Sequence, residues 1–264
     1  MHMDRRQFVK NLGLGTASLS MGSLVTASSC APSGDSSLKQ NVKEGEDGQF
    51  LFIGDDIAIA QTEYGKVQGY LLNHVYTFLG VPYGADTSGK NRFMPPQKPE
   101  PWTDVRPAVF YGNTAPQRME NRWPNNYGTF ADHWNYWDVS EDCLYLNVWT
   151  PGIADGKKRP VLVWLHGGGF TNGSRIEQDG YHGENISREG NIVFCSINHR
   201  LGPIGFSDLS GVGGEAYKDS GNVGMLDIIA ALRWVHDNIA NFGGDPGNVT
   251  VMGQSGGGSK VCTV

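Results

Sequence analysis

Apolar residues are scarce between Ala31 and Gly48, where Ser, Gly, Lys and acidic side chains dominate. Such a stretch cannot bury a core and predicts a disordered tether over residues 31–50. From Phe50 onward apolar runs recur between Gly and Pro. Ile57-Ala58-Ile59-Ala60 and Gly65-Lys66-Val67-Gln68-Gly69 predict a hairpin of short strands. Tyr76 to Tyr83 is an apolar run stopped by Pro82, and the proline-studded Arg92 to Trp102 predicts an extended surface loop. Glu141 to Pro151 alternates apolar and polar residues, as a half-buried strand does. Val161 to His166 is a continuous apolar run, expected of a parallel strand buried on both faces, and Ile192 to Ile197 is another. Between Gly224 and Ile239, Leu226, Ile229, Leu232 and Val235 recur at helical spacing, and Phe242-Gly243-Gly244 stops the pattern. Asp245-Pro246-Gly247-Asn248 then predicts a turn into Val249-Thr250-Val251-Met252. Strand, helix, strand, turn, strand describes an α/β fold, a doubly wound, mostly parallel sheet.

The last strand runs into Gly253-Gln254-Ser255-Gly256-Gly257, the G-x-S-x-G pattern of a nucleophile elbow. A sharp turn of this kind needs residues without Cβ, both for unusual φ/ψ and for close backbone approach. In a chain with 37 glycines the pattern alone is weak. Two neighbours give it weight: the β-branched run before it, and a second glycine-rich loop, His166-Gly167-Gly168-Gly169-Phe170, that follows another apolar strand. Ligand chemistry in open α/β sheets sits just beyond the carboxyl ends of strands. An aromatic-dense stretch holds Trp123, Tyr127, Phe130, Trp134, Tyr136 and Trp137. Two readings fit it, the wall of an apolar binding gorge and loop residues packed on a sheet edge.

At 264 residues the chain holds one large α/β domain or two small ones. A net charge of -6, with no run of Lys and Arg longer than Lys157-Lys158-Arg159, argues against nucleic acid and against an anionic membrane as partners. Four cysteines, Cys30, Cys143, Cys195 and Cys262, form neither a zinc pattern nor a disulfide framework, and the sequence implies no metal and no cofactor. Asp4-Arg5-Arg6-Gln7-Phe8-Val9-Lys10 resembles a twin-arginine export signal, and Leu12 to Ala27 is too short and too broken by Gly and Ser to span a bilayer. Val25-Thr26-Ala27 fits a cleavage site. Ser28-Ser29-Cys30 offers a lipidation cysteine, without the Leu that normally stands three residues before it. Residues 1–30 are thus expected to export the chain, with a lipid anchor at Cys30 as one outcome.

The longer motifs resemble the type-B carboxylesterases, the cholinesterase-like branch of the α/β-hydrolases. Glu141-Asp142-Cys143-Leu144-Tyr145-Leu146-Asn147-Val148 and Phe242-Gly243-Gly244-Asp245-Pro246 through Gly257 carry the resemblance. Asn198-His199-Arg200-Leu201-Gly202 and Gly221 to Asp227 add to it, and coverage runs from about Thr62 to the last residue. The resemblance implies hydrolysis of a small-molecule ester, with Ser255 as nucleophile and the N–H groups of Gly168, Gly169 and Gly256 as oxyanion hole. It also implies ion pairs Arg92–Glu141 and Arg200–Asp227. His166 and His199 end strands close to the elbow, and His166 is expected to orient the glycine loop and His199 to be a packed or capped loop residue.

Four departures qualify the resemblance. Gln254 stands where the family commonly has Glu, and the residue near Ala115 that would pair with Cys143 is not a cysteine, which leaves a free buried thiol. All seven histidines precede Ser255, and only nine residues follow it. In this fold the acid and the histidine come after the serine. The expectation is therefore the N-terminal part of a hydrolase, truncated after the elbow and inactive alone. A non-catalytic, cholinesterase-like binding or adhesion protein is the alternative.

Overall fold

A computed structural model describes residues 50–118 and 138–264 of the chain. The expected export segment with Cys30, the tether up to residue 49, and the aromatic stretch from Trp123 to Trp137 lie outside these residues. The strands are β1 (Leu51–Phe52), β2 (Ile59–Thr62), β3 (Gly65–Gln68), β4 (Tyr70–Leu72), β5 (Val75–Pro82), β6 (Arg106–Pro107), β7 (Tyr145–Thr150), β8 (Arg159–Leu165), β9 (Val193–Ile197) and β10 (Gly244–Gly253). The helices are α1 (Glu184–Gly190), α2 (Gly202–Phe206), α3 (Ser210–Gly213), α4 (Val223–Asn238) and α5 (Gly256–Val261).

Seven strands form one sheet in the order β1-β4-β5-β7-β9-β8-β10, and β2-β3-β6 form a second. The expected hairpin is β2–β3, antiparallel with Ile59 opposite Gln68. Strands β9, β8 and β10 run parallel, because α1 and α4 carry the chain back between them. The strands from β1 through β7 to β9 pair antiparallel. The sheet is thus mixed, with its parallel part where the glycine-rich loops begin.

The two faces bury different clusters. One joins Val81, Leu146, Val163, Cys195 and Ile197 to Ile228, Ala231 and Val235 of α4, while Trp149, Phe194, Val75 and Leu79 fill the other beneath α1. An edge-on Phe78–Phe242 contact at 4.9 Å ties the chain after α4 to the sheet. Each fully buried aliphatic side chain of this kind contributes about 1.5–3 kcal/mol.

Four local expectations shift. The alternating stretch before Pro151 is buried on both faces once the strand begins at Tyr145, because one apolar cluster covers Leu146 and Val148 and the other covers Trp149. Its polar side chains are satisfied inside: Asn147 Oδ1 accepts from the Gly80 N–H at 3.0 Å and Thr150 Oγ1 donates to the Phe242 carbonyl at 2.8 Å. Conversely β8 is fully buried on one face only. Leu162 and Trp164 are half-buried, since a short turn bearing Tyr181 covers them instead of a long helix. In α4 the inward stripe is Val223, Gly224, Asp227, Ile228, Ala231, Trp234, Val235 and Asn238, with Leu226, Ile229 and Leu232 flanking it. The apolar spacing put the stripe out of phase because it excluded a charged residue that the fold buries. Finally, Asp245 to Asn248 interrupts the β8–β10 ladder as an irregularity within β10, between pairs Gly244–Arg159 and Val249–Val161.

Candidate active site

Strands β8 and β10 end level, Leu165 beside Gly253, so the two glycine-rich segments start side by side. The Gln254 N–H donates to the Leu165 carbonyl at 3.3 Å, and the Gly257 N–H to the Gln254 carbonyl at 2.8 Å. Between them Ser255 takes φ 53°, ψ −118°, and is exposed. A non-glycine residue held there costs about 1–3 kcal/mol and persists only where its surroundings enforce it. Close packing enforces it here. A Cβ on Gly257 would lie 2.1 Å from the Leu165 carbonyl oxygen, so α5 rises directly against the end of β8. This strand–turn–helix holds Ser255 at its tip, as a nucleophile elbow requires.

The other loop leaves β8 through buried His166 and then adopts left-handed φ at Gly168 (+89°) and Gly169 (+64°), which side chains resist. It curls back as the Asn172 N–H donates to the Gly168 carbonyl at 3.1 Å, and the Gly202 N–H fixes the Phe170 carbonyl at 2.7 Å. A Cβ on Gly256 would lie 2.5 Å from Gly169 Cα and 2.6 Å from its nitrogen, so the two loops touch backbone to backbone beside Ser255. Among the described residues, no acceptor takes the N–H groups of Gly168, Gly169 or Gly256. Loop donors left open beside an exposed, strained serine suit an oxygen that gains negative charge.

His166 and His199 stack beneath this loop, with ring centroids 5.0 Å apart and planes 3° from parallel. Each places Nδ1 2.8 Å from a backbone carbonyl, His166 from Gly167 and His199 from Arg200. A carbonyl can only accept, so each ring carries its proton on Nδ1. Burial, with His166 and Lys260 alongside, holds His199 well below the usual imidazole range. His166 therefore anchors the glycine loop and His199 packs neutral behind it.

Beyond the rings, Arg200 grips buried Asp227 through Nε at 2.8 Å and Nη2 at 2.6 Å. Arg92 holds Glu141 through two 2.6 Å bonds, but its side chain is 46% exposed. Both expected pairs form. Cys143 is a free, buried thiol, as the missing partner implied. A cavity of about 620 Å³ opens beside the glycine loop, lined among the described residues by Gln117, Thr171, Asn172, Leu201 and Pro203.

Lys260 escaped the sequence reading. Its side chain is buried on α5, Nζ lies 2.5 Å from the Gly169 carbonyl and 4.8 Å above the Phe170 ring. The available signal was a lone charge four residues after Gly256, one helical turn along and so on the same face.

A mixed sheet with a serine elbow and a glycine loop at the ends of adjacent parallel strands defines an α/β-hydrolase. The carboxylesterase family matches residues 56–264, and the chain belongs to that family. It is 42% identical over 209 residues to the para-nitrobenzyl esterase of Bacillus subtilis (strain 168), covering 78% of this chain and 40% of that protein. It is 43% identical to the phenmedipham hydrolase of Pseudarthrobacter oxydans, over 78% of this chain and 39% of that one. Among solved structures, an esterase from the anaerobe Clostridium hathewayi that can hydrolyze aliphatic aromatic polyesters superposes with a TM-score of 0.74 at 43% identity. That match covers 80% of this chain and 40% of the other. The chain thus spans about 40% of the length of these relatives.

Proposed function

We propose that the chain carries the nucleophile and the oxyanion hole of a serine carboxylic-ester hydrolase. Ser255 Oγ attacks the ester carbonyl, and the N–H groups of Gly168, Gly169 and Gly256 receive the oxyanion. The alcohol leaves with a proton, and water then releases the acid from the acyl-enzyme. Those three unspent N–H groups, beside an exposed serine in a strained elbow, carry this reading. The relatives, named for ester substrates, support it. Neither His166 nor His199 suits the role of base, since both are wholly buried while Ser255 is exposed, and each Nδ1 is held by a backbone carbonyl instead of the carboxylate that would stabilise an imidazolium. The base and its acid are therefore assigned to sequence C-terminal of the elbow, where this fold places them. We infer export as well, from Arg5-Arg6 and the short segment after them.

A fluorophosphonate probe and a p-nitrophenyl ester test the reading on the gene product that includes any sequence continuing past Val264. Labelling and turnover that both vanish in Ser255→Ala are expected. Absence of both in the wild type would favour the binding or adhesion alternative. Residues 1–264 expressed alone should show no turnover above Ser255→Ala. Fractionation of the host, with Arg5→Lys/Arg6→Lys as control, tests export: wild-type protein retained in the cytoplasm refutes it.

A further inference from the structure

Lys260 is buried, and among the described residues no carboxylate pairs with it. Burial depresses its ammonium to about 8, so the fold carries this charge at a cost. What the charge meets is the glycine loop. Nζ donates to the Gly169 carbonyl at 2.5 Å and rests on the Phe170 ring. Its hold complements another. The Gly168–Gly169 peptide, which owns the Gly169 N–H, is pinned through the Gly168 carbonyl by Asn172. The next peptide, on the far side of Gly169, is pinned through its carbonyl by Lys260. Two consecutive glycines with positive φ would otherwise rotate easily, and their rotation would turn the N–H away from Ser255.

We propose that Lys260 is a positioning residue of the ester-hydrolase site, clamping the Gly169 carbonyl so that the Gly169 N–H stays aimed at the oxyanion. The proposal rests on the reading of Ser255 and the glycine loop given above. A donor must sit about 2.7–3.1 Å from the oxyanion, and loss of one typically costs a hundredfold or more in kcat. The clamp acts on the transition state and leaves ground-state binding alone, so kcat should fall while KM holds. Among the described residues, the ionisable group whose charge acts with that of Lys260 is His199, which stacks on His166, is neutral and cannot replace the charge.

Lys260→Met keeps the length of the stem and removes the charge. In the ester-hydrolysing protein we expect kcat about a hundredfold lower, with KM within threefold. Hydrogen exchange across residues 166–173 should quicken at least tenfold, and Lys260→Arg should recover much of both losses. In the wild type kcat should decline as pH rises through about 8, where Lys260 discharges, and Lys260→Arg should lack that decline because guanidinium stays charged. Unchanged exchange and kcat in a folded Lys260→Met protein would reduce Lys260 to a space-filler. Should Lys260→Met not fold, identical pH profiles for wild type and Lys260→Arg would overturn the proposal. Absence of Ser255-dependent turnover sinks the hydrolase reading instead, and exchange in residues 166–173 then decides the clamp alone.

Discussion

Removing the Asp227 charge isolates a fully buried ion pair of the fold. Arg200 is 1% and Asp227 0% exposed, and four bonds converge on the pair. Asp227 accepts from Arg200 Nε, Nη2 and the Arg200 backbone N–H, at 2.8, 2.6 and 3.0 Å, while Nη1 donates to the Met94 carbonyl at 2.7 Å. Burial pushes the carboxyl of Asp227 up, and the donors of Arg200 oppose that push. Asp227→Asn keeps the shape but leaves a guanidinium buried beside a neutral amide whose NH₂ faces its own N–H groups. Stranding one charge of a buried pair costs about 3–5 kcal/mol, a large share of the 5–15 kcal/mol that typically holds a domain. Replacing both, Arg200→Met with Asp227→Leu, strands no charge and leaves mainly the buried backbone N–H of residue 200 unsatisfied, since half-buried Met94 can turn its carbonyl to water, for about 1–3 kcal/mol. Urea unfolding followed by tryptophan fluorescence measures all three variants. Asp227→Asn within 1 kcal/mol of wild type, or a double variant no better than the worse single, would refute the reasoning.

Other perturbations separate the remaining contacts. Arg92→Ala should hardly move the urea midpoint despite two short bonds to Glu141, because water replaces an exposed partner. Gly257→Ala drives a methyl into the Leu165 carbonyl and should cost about 3 kcal/mol and displace the elbow, read by unfolding and by loss of probe labelling. Of the described thiols, only exposed Cys262 should react with a disulfide reagent in the native protein; burial raises Cys143 and Cys195 far above the usual thiol range. Folded thiols that keep their protons while unfolded ones ionise stabilise the fold below the unfolded thiol pKa, about 8.5, and lose that contribution as pH rises past it. Replacing Cys195 with Ala should therefore flatten the alkaline fall in stability, and an unchanged slope counts against the assignment.

Along the chain, the sequence determined whatever depends on neighbours. Gly253 to Gly257 could be placed at the end of a β-branched run, because a tight turn between strand and helix leaves glycine as its local mark. The missing Cys143 partner, the hairpin at Ile59 and the end at Gly243 of the 3₁₀ turn that follows α4 were legible for the same reason. Tertiary structure decided what depends on distant groups. Asn147 and Thr150 could be buried in β7 only because Gly80, Ser196 and Phe242 supply their partners. Asp227 turned the inner face of α4 toward Arg200, against the apolar spacing. Lys260 took its meaning from Gly169, 91 residues earlier, through a parallel β8–β10 register that no local pattern encodes. Burial of a polar group depends on a partner across the fold, and periodicity along the chain carries no information about that partner.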